Sequence, residues 1–428
     1  MQHEGHKQTI VPTRYGWFFP ADETKPESIS ALLIFAGALI FVLFLGFGKI
    51  FITLGAILIC LGLLLQLILQ GPKTFLLKRT PWLALLLFLT FAWFGARSCW
   101  GVDPEAGFSG FKTSLYKGLT FFVAGMELAR RPRYFKVLFW AFLLGAVAHG
   151  VNGMWQYVTG FDFIKGYPIM SGRLTSAFST YRVGNLIAMY LAVLLALPWF
   201  LPPSWNKLQK GIVFLLLLAA PFFLLVFAQA RSGYLCFASA GVAVLLLQQG
   251  FKAKYLLAVG AIVFLLLCFG PQRVSMDAAL KDVRLSTVWP GALLLFEQHP
   301  IIGVGVNGYT AGLAELGVKA LVNHPHNIYL QLLAETGLVG FFLYLSVVFG
   351  IAIQGWKVLR ERAAAGLKDK EQAFAASCWA VCVGYLCMGI SAHDLLRDWW
   401  FALAMLLFGF VAGYCAVQKI KTQVQGRA

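Results

Sequence analysis

The chain has 428 residues, of which 59% are hydrophobic and only 12% charged, with a mean hydropathy of +0.75. A soluble chain of this length needs far more polar surface, so the apolar excess must face lipid. A net charge of +17 would suggest nucleic acid in a soluble protein. In a membrane chain basic residues collect in inner loops, so their places matter more than their sum and no nucleic-acid partner is implied.

Residues 1–28 are mixed and polar, and no small-residue cleavage site follows the first apolar run, which therefore reads as an uncleaved anchor. A spanning helix needs roughly 20 apolar residues. Twelve runs qualify, at 29–47, 51–70, 82–97, 114–128, 135–158, 184–201, 212–229, 232–249, 255–270, 338–355, 374–391 and 399–417. The expected fold is an all-α polytopic membrane protein. It divides into an inner N-terminal segment (1–28), spans one to nine (29–270), a long outer loop with short helices (271–337), spans ten to twelve (338–417) and an inner tail (418–428). With the N-terminus inside, the inner segments hold 22 of the 35 Lys and Arg residues, so both termini are expected inside.

Of the eight cysteines, seven lie in apolar runs, Cys99 has no obvious partner, and no CxxC pair occurs. Neither zinc nor a disulfide framework is implied. Lys117 and Glu127, in or near the fourth span, read as structural. Trp399-Trp400 at the start of the last span reads as part of an interfacial belt.

The outer segments carry cations against the charge bias: Arg173 and Arg182 in 159–183, Arg231 at a tight hairpin, and Arg284 in the long loop. That loop is too long for a simple connection. Pro290 can start a short helix there, His299-Pro300 ends it, and Gly303 to Gly308 form a turn. Gly305-x-x-Gly308 is weak as a phosphate loop and better explained by close backbone approach. His324-Pro325-His326-Asn327 then opens a helix in which Asn327, Gln331 and Glu335 make a polar stripe, and Gly337 can end it. A helix N-terminus disfavours protonated imidazole, which would help keep His326 neutral and able to accept a proton. His324 and His299 read as structural, and a cap residue or a snorkelling arginine is the plainer explanation of His326 or Arg231 taken alone.

Taken together these residues carry a resemblance. His326-Asn327, nine residues, Gly337, two residues, Gly340 resembles the signature of the O-antigen ligase and polymerase superfamily. Arg284-x-x-x-x-Trp289 with His299-Pro300-x-x-Gly303-x-Gly305 is similar to its upstream segment. Gln229-Ala230-Arg231-Ser232-Gly233 and Gly172 to Phe178 followed by Asn185 are similar to two further parts. The resemblance implies a metal-independent GT-C-like glycosyltransferase without cofactor, working on the periplasmic face of the bacterial inner membrane, with 271–337 as the periplasmic loop. Its donor would be a glycan on undecaprenyl diphosphate and its acceptor a sugar of lipid A-core. It implies His326 as general base on the acceptor hydroxyl, and Arg231, Arg284, Arg173 and Arg182 as diphosphate ligands. Asp394 or Asn327 would orient the base or an arginine, with Asp398 competing with Asp394. The residues agree in offering no Asp-x-Asp or His-Glu-x-x-His motif.

Two alternatives share this reading's residues. An O-antigen polymerase would use the same donor to grow the glycan. A transporter or flippase for lipid-linked glycans would suit twelve helices, but would place ionisable residues along a central path. A protein-glycosylating relative with an extended C-terminal part fits less well with a chain that ends soon after its last span. A membrane scaffold with an outer binding loop would not require the His motif.

Overall fold

The computed structural model describes residues 28–249, 282–366, 369–391 and 394–425. The expected span at 255–270 lies outside these residues, as do residues 1–27, Cys268 and His393. Each of the other eleven expected spans falls on helix. They are α1 (Ile29–Phe44), α2 (Lys49–Gln70) and α3 (Pro81–Cys99), then α4 (Pro104–Gly110) running through a π-turn into α5 (Tyr116–Leu128). Next come α6 (Pro132–Thr159), α7 (Val183–Val193) continuing through a 3-10 turn into α8 (Leu197–Phe200), α9 (Lys207–Phe227) and α10 (Arg231–Gln249). In the long loop lie α11 (Trp289–Gln298) and α12 (Tyr309–Glu315), and α13 (Ile328–Ala364), α14 (Lys370–Met388) and α15 (Asp398–Gln425) complete the order.

Nine helices among the described residues are long and apolar enough to cross a membrane. The protein is thus a multi-pass membrane protein. Two expected spans fall short of that length: α1 has 16 residues, and α5 has 13 and carries Lys117 and Glu127. No sheet forms among the described residues; Phe161 with Pro168 and Met170 with Arg173 make isolated bridges.

Burial separates centre from rim. In α15, 94% of the apolar window is buried inside the protein, against 22% in α9. Leu215 and Leu216 of α9 and Ile68 and Leu69 of α2 are exposed, as lipid-facing side chains must be. Trp399 and Trp400 do not form the expected interfacial belt. Both are buried in the core, Trp400 against Tyr385 and Trp399 against Phe178, because α15 runs through the middle of the bundle. Glu127 is structural as expected: it accepts from Gln66 at 3.0 Å, the Leu76 backbone N–H at 2.7 Å and Arg130 at 2.7 Å. Lys117 lies 3.9 Å from Asp398.

Helix α13 is broken where the sequence places a stop. Gly337 has φ +65° and ψ −171°, a region only glycine occupies without cost. The break frees backbone groups on both sides, and a buried orphan is expensive. The loop after α11 supplies the partners. Val304 and Gly305 donate to the Ala334 and Glu335 carbonyls at 2.9 and 2.8 Å, while Leu338 donates to the Pro300 carbonyl at 2.9 Å. Gly305, at φ +110°, also packs against Gly101, so its role is close backbone approach. Residues 328–336 are thereby held as a separate short helix ahead of the spanning part that starts at 338.

Candidate active site

The loop entering this short helix fixes His326 from several directions. Asn327 is the N-cap, and its side-chain oxygen accepts from the Tyr329 and Leu330 backbone N–H groups at 3.0 and 3.2 Å. Its influence on His326 therefore runs through the backbone. Trp289 Nε1 donates to the Pro325 carbonyl at 3.1 Å. His326 itself has φ +56°, uncommon for a residue with a Cβ, and its backbone N–H donates to His324 Nδ1 at 3.2 Å. The two rings lie 4.1 Å apart. Nδ1 of His324 must be unprotonated to accept that bond.

Burial pushes the His326 imidazole down to about 4, with the His324 and Arg284 charges acting in the same sense and Asp282 and Asp394 opposing. The imidazole is thus neutral at neutral pH, with burial as the main cause. His324 is lowered too, mainly by burial, with Asp394 opposing and Arg397 and Arg182 adding to the fall.

His326 lies on the wall between two cavities. The first, about 280 Å³, brings together Arg173, Arg231 and Arg284 with Asp282 and Ser391. Each arginine arrives by a separate device. Gln229, at φ +49°, makes the tight turn between α9 and α10 that sets Arg231 at the first position of α10. Arg284 starts a π-turn that leads into α11. Arg173 is buried; its Nε donates to the Ala228 carbonyl at 2.8 Å and its guanidinium lies 4.3 Å from the Tyr181 ring centre. Nearby, Ser232 donates to Asn185 at 2.8 Å and ties α10 to α7.

Asp282 organises this cavity. Its carboxylate takes Arg231 at 3.0 Å and Arg284 twice, from Nε at 2.8 Å and from Nη2 at 2.5 Å. Arg284 also donates to the Ser391 hydroxyl at 2.7 Å. Hydrogen bonds from Arg284 hold the Asp282 carboxyl far below the usual carboxylate range. Sequence reasoning missed Asp282, although a carboxylate two residues before Arg284 was a usable signal.

The second cavity, about 620 Å³, separates Arg182 from the other three arginines. It is lined by Arg182, Arg397, Asp394, Asp103, His324 and, as in the first cavity, His326. Burial, then the neighbouring Arg397 charge, pushes Arg182 down to about 10, so it stays cationic at neutral pH. Asp394 accepts from Gln331 Nε2 at 2.7 Å and from the Leu396 backbone N–H at 3.0 Å. Gln331 in turn accepts from the Leu395 N–H at 2.8 Å and lies 3.3 Å from buried Glu335. Of the sequence's polar stripe, Gln331 is thus the strut between the short helix and the loop before α15. Asp394 reaches the histidines through the cavity and its field, with its hydrogen bonds directed to Gln331 and Leu396. His299 ends α11, and its carbonyl accepts from Gly303 at 2.9 Å, a structural role as expected. Among the described residues no group of three or more His, Cys, Asp or Glu is arranged to hold a metal ion.

Residues 214–345 match a family model described as O-antigen ligase. The matched segment includes Arg231, Arg284 and the whole stretch from Trp289 to Gly340. No curated protein matches the chain. The match bears out the resemblance to the O-antigen ligase and polymerase family over that segment.

Proposed function

We propose that the protein is an O-antigen ligase, transferring a glycan from undecaprenyl diphosphate to a sugar hydroxyl of lipid A-core at the periplasmic face of the inner membrane. The observation that carries this reading is the position of His326 on a wall shared by two cavities, one of them lined by three arginines. Guanidinium binds phosphate in bidentate fashion and needs no cation to do so. Arg231, Arg284 and Arg173 receive the diphosphate, and charge on the departing oxygen is met by groups already in place. His326 takes the proton of the acceptor hydroxyl. The acceptor oxygen forms its bond to the anomeric carbon from the face opposite the diphosphate, the bond to the diphosphate oxygen breaks with its electron pair, and the configuration inverts. The basic segments 71–81, 129–136 and 356–372 set both termini inside and leave this site outside.

Gathering of the arginines around His326, rather than along a path through the bundle, favours an enzyme over a transporter. A polymerase would use the same donor cavity and differ in its acceptor. Reconstitution of the purified protein with lipid-linked glycan and lipid A-core tests the reading. Glycosylated lipid A-core is the expected product. Lengthened lipid-linked glycan, with lipid A-core untouched, would replace ligase by polymerase, and movement of the donor across the bilayer without transfer would replace both by a transporter.

A further inference from the structure

The cavity that holds Arg182 and Arg397 is built differently from the one that holds Asp282. Among the described residues neither Arg182 nor Arg397 makes an ion pair or a side-chain hydrogen bond, and Arg397 Nε is buried without a partner. Both guanidiniums nevertheless border the same polar space as His324 and His326. The two carboxylates in that space are turned to other work. Asp103 caps α4, accepting from the Ala106 N–H at 2.9 Å, and Asp394 serves Gln331 and Leu396. The Asp398 and Asp394 charges favour the Arg182 cation but do not offset its burial and the repulsion from Arg397, and an anion placed between the two guanidiniums removes that cost. Beside Ala106, Ala311 and Val322, the lining also holds Asn307, Thr310 and Asn323, whose short polar side chains suit sugar hydroxyls. A volume of about 620 Å³ is within the range that encloses a ligand of one or two sugar rings.

We propose that this second cavity is the acceptor subsite and that Arg182 and Arg397 select an acceptor carrying an acidic group, phosphate or carboxylate, beside the attacking hydroxyl. The inference rests on the ligase reading and reassigns Arg182 from the donor's diphosphate to the acceptor. His326 then faces the acceptor hydroxyl from the wall of this cavity while the donor's reacting carbon lies at the mouth of the other. An acidic group held by two arginines fixes which of several hydroxyls points at the imidazole.

The test uses the full-length protein, reconstituted with lipid-linked glycan and three synthetic acceptor glycosides that differ in one substituent: neutral, phosphorylated or carboxylated. Transfer to lipid A-core by the unaltered protein is measured first; its absence counts against the ligase reading, and the glycoside comparison is then run as a test of acceptor choice alone. The expected result is a KM about 10- to 150-fold lower for at least one acidic acceptor than for the neutral one, one charge-assisted bond's worth of binding. Which acidic acceptor gains identifies phosphate or carboxylate as the group held. Arg397→Gln and Arg182→Gln should erase that preference and leave the KM for donor unchanged, which also reports that the variants are folded. Arg397→Lys should keep part of it. Equal KM values for all three acceptors, or a donor KM that rises in the variants while the acceptor preference persists, would overturn the proposal.

Discussion

The two cavities beside His326 hold arginines in opposite states. In one, Arg231 and Arg284 are locked by Asp282 before any ligand arrives. In the other, Arg182 and Arg397 border open polar space with their charges uncompensated by an ion pair. A locked guanidinium has already given up its side-chain entropy, so its remaining N–H groups meet a phosphate without reorganisation. An uncompensated one contributes discrimination instead, because it is left at a cost whenever the wrong ligand binds. A count of outer arginines therefore says little about their work; what each is paired with decides it.

The sharpest break in the comparison is removal of the wall between the cavities. His326→Ala is expected to lower transfer by about 10²–10⁴-fold, the range for loss of a general base. Donor and acceptor binding should change little, because neither set of arginines is disturbed. Near-normal turnover by a variant present at normal levels in the membrane would remove His326 from the mechanism.

Next in size is truncation of the locked arginines. Arg231→Ala and Arg284→Ala each remove a charge-assisted bond of about 1.5–3 kcal/mol, which is roughly 10- to 150-fold in donor handling. Lys should rescue poorly at either position, since the charge remains but the planar fork that spans Asp282 and a phosphate is gone. Donor affinity and transfer rate are the quantities to compare. Lys variants equal to wild type in both would mean that these arginines only set position in the membrane.

Much of this was legible in the sequence because it rests on local rules. Apolar runs marked every described span, and the glycine stop at 337 lies where turn chemistry puts it, whereas the cap is Asn327, which the sequence placed in a polar stripe. What stayed hidden is what depends on contacts between distant segments. Nothing local says that Trp399 and Trp400 enter the core, since burial there is set by the helices packed around α15. Nor could spacing divide the arginines: Arg182 and Arg397 are far apart in the chain and meet only because α7 and the loop before α15 end at the same level. Gln331 was read as part of a stripe, but its bond to Asp394 crosses 63 positions.

A smaller effect concerns pH. Burial lowers His326 to about 4 in the free enzyme, whereas an imidazole in the unfolded chain titrates near 6.5. The neutral form is therefore present in the folded protein throughout the neutral and mildly acidic range. Its contribution to stability is complete above about 6.5 and is lost as pH falls toward 4, where the folded imidazole protonates as well. On the proposed role, kcat/KM should stay flat from neutral pH down to about 5, where an ordinary histidine would already have cost about 30-fold. Because a bound diphosphate beside Arg284 offsets one of the charges that lower His326, the acid limb of kcat should lie above that of kcat/KM. An acid limb of kcat/KM at 6.5 would show that the base is not this buried imidazole.

The smallest expected effect is none at all. If Arg173, Arg231 and Arg284 carry the diphosphate charge, a divalent cation has no work to do in the donor cavity, and transfer by protein treated with EDTA should equal that of untreated protein. The comparison between cavities makes this a strict test, because it depends on Asp282 being the arginines' partner and not a metal ligand. Asp282 sits under two guanidiniums at 2.5–3.0 Å, which leaves its oxygens occupied and surrounds them with positive charge. A cation entering there would have to displace both arginines, at the loss of at least two charge-assisted bonds of about 1.5–3 kcal/mol each. Asp282→Asn separates the two roles: as arginine partner its loss loosens the clamp and raises donor KM while activity still ignores EDTA. A rate that collapses on chelation and returns with Mg²⁺ or Mn²⁺ in the unaltered protein, but is insensitive to both in Asp282→Asn, would make Asp282 a metal ligand and dissolve the distinction between a locked and an open set of arginines.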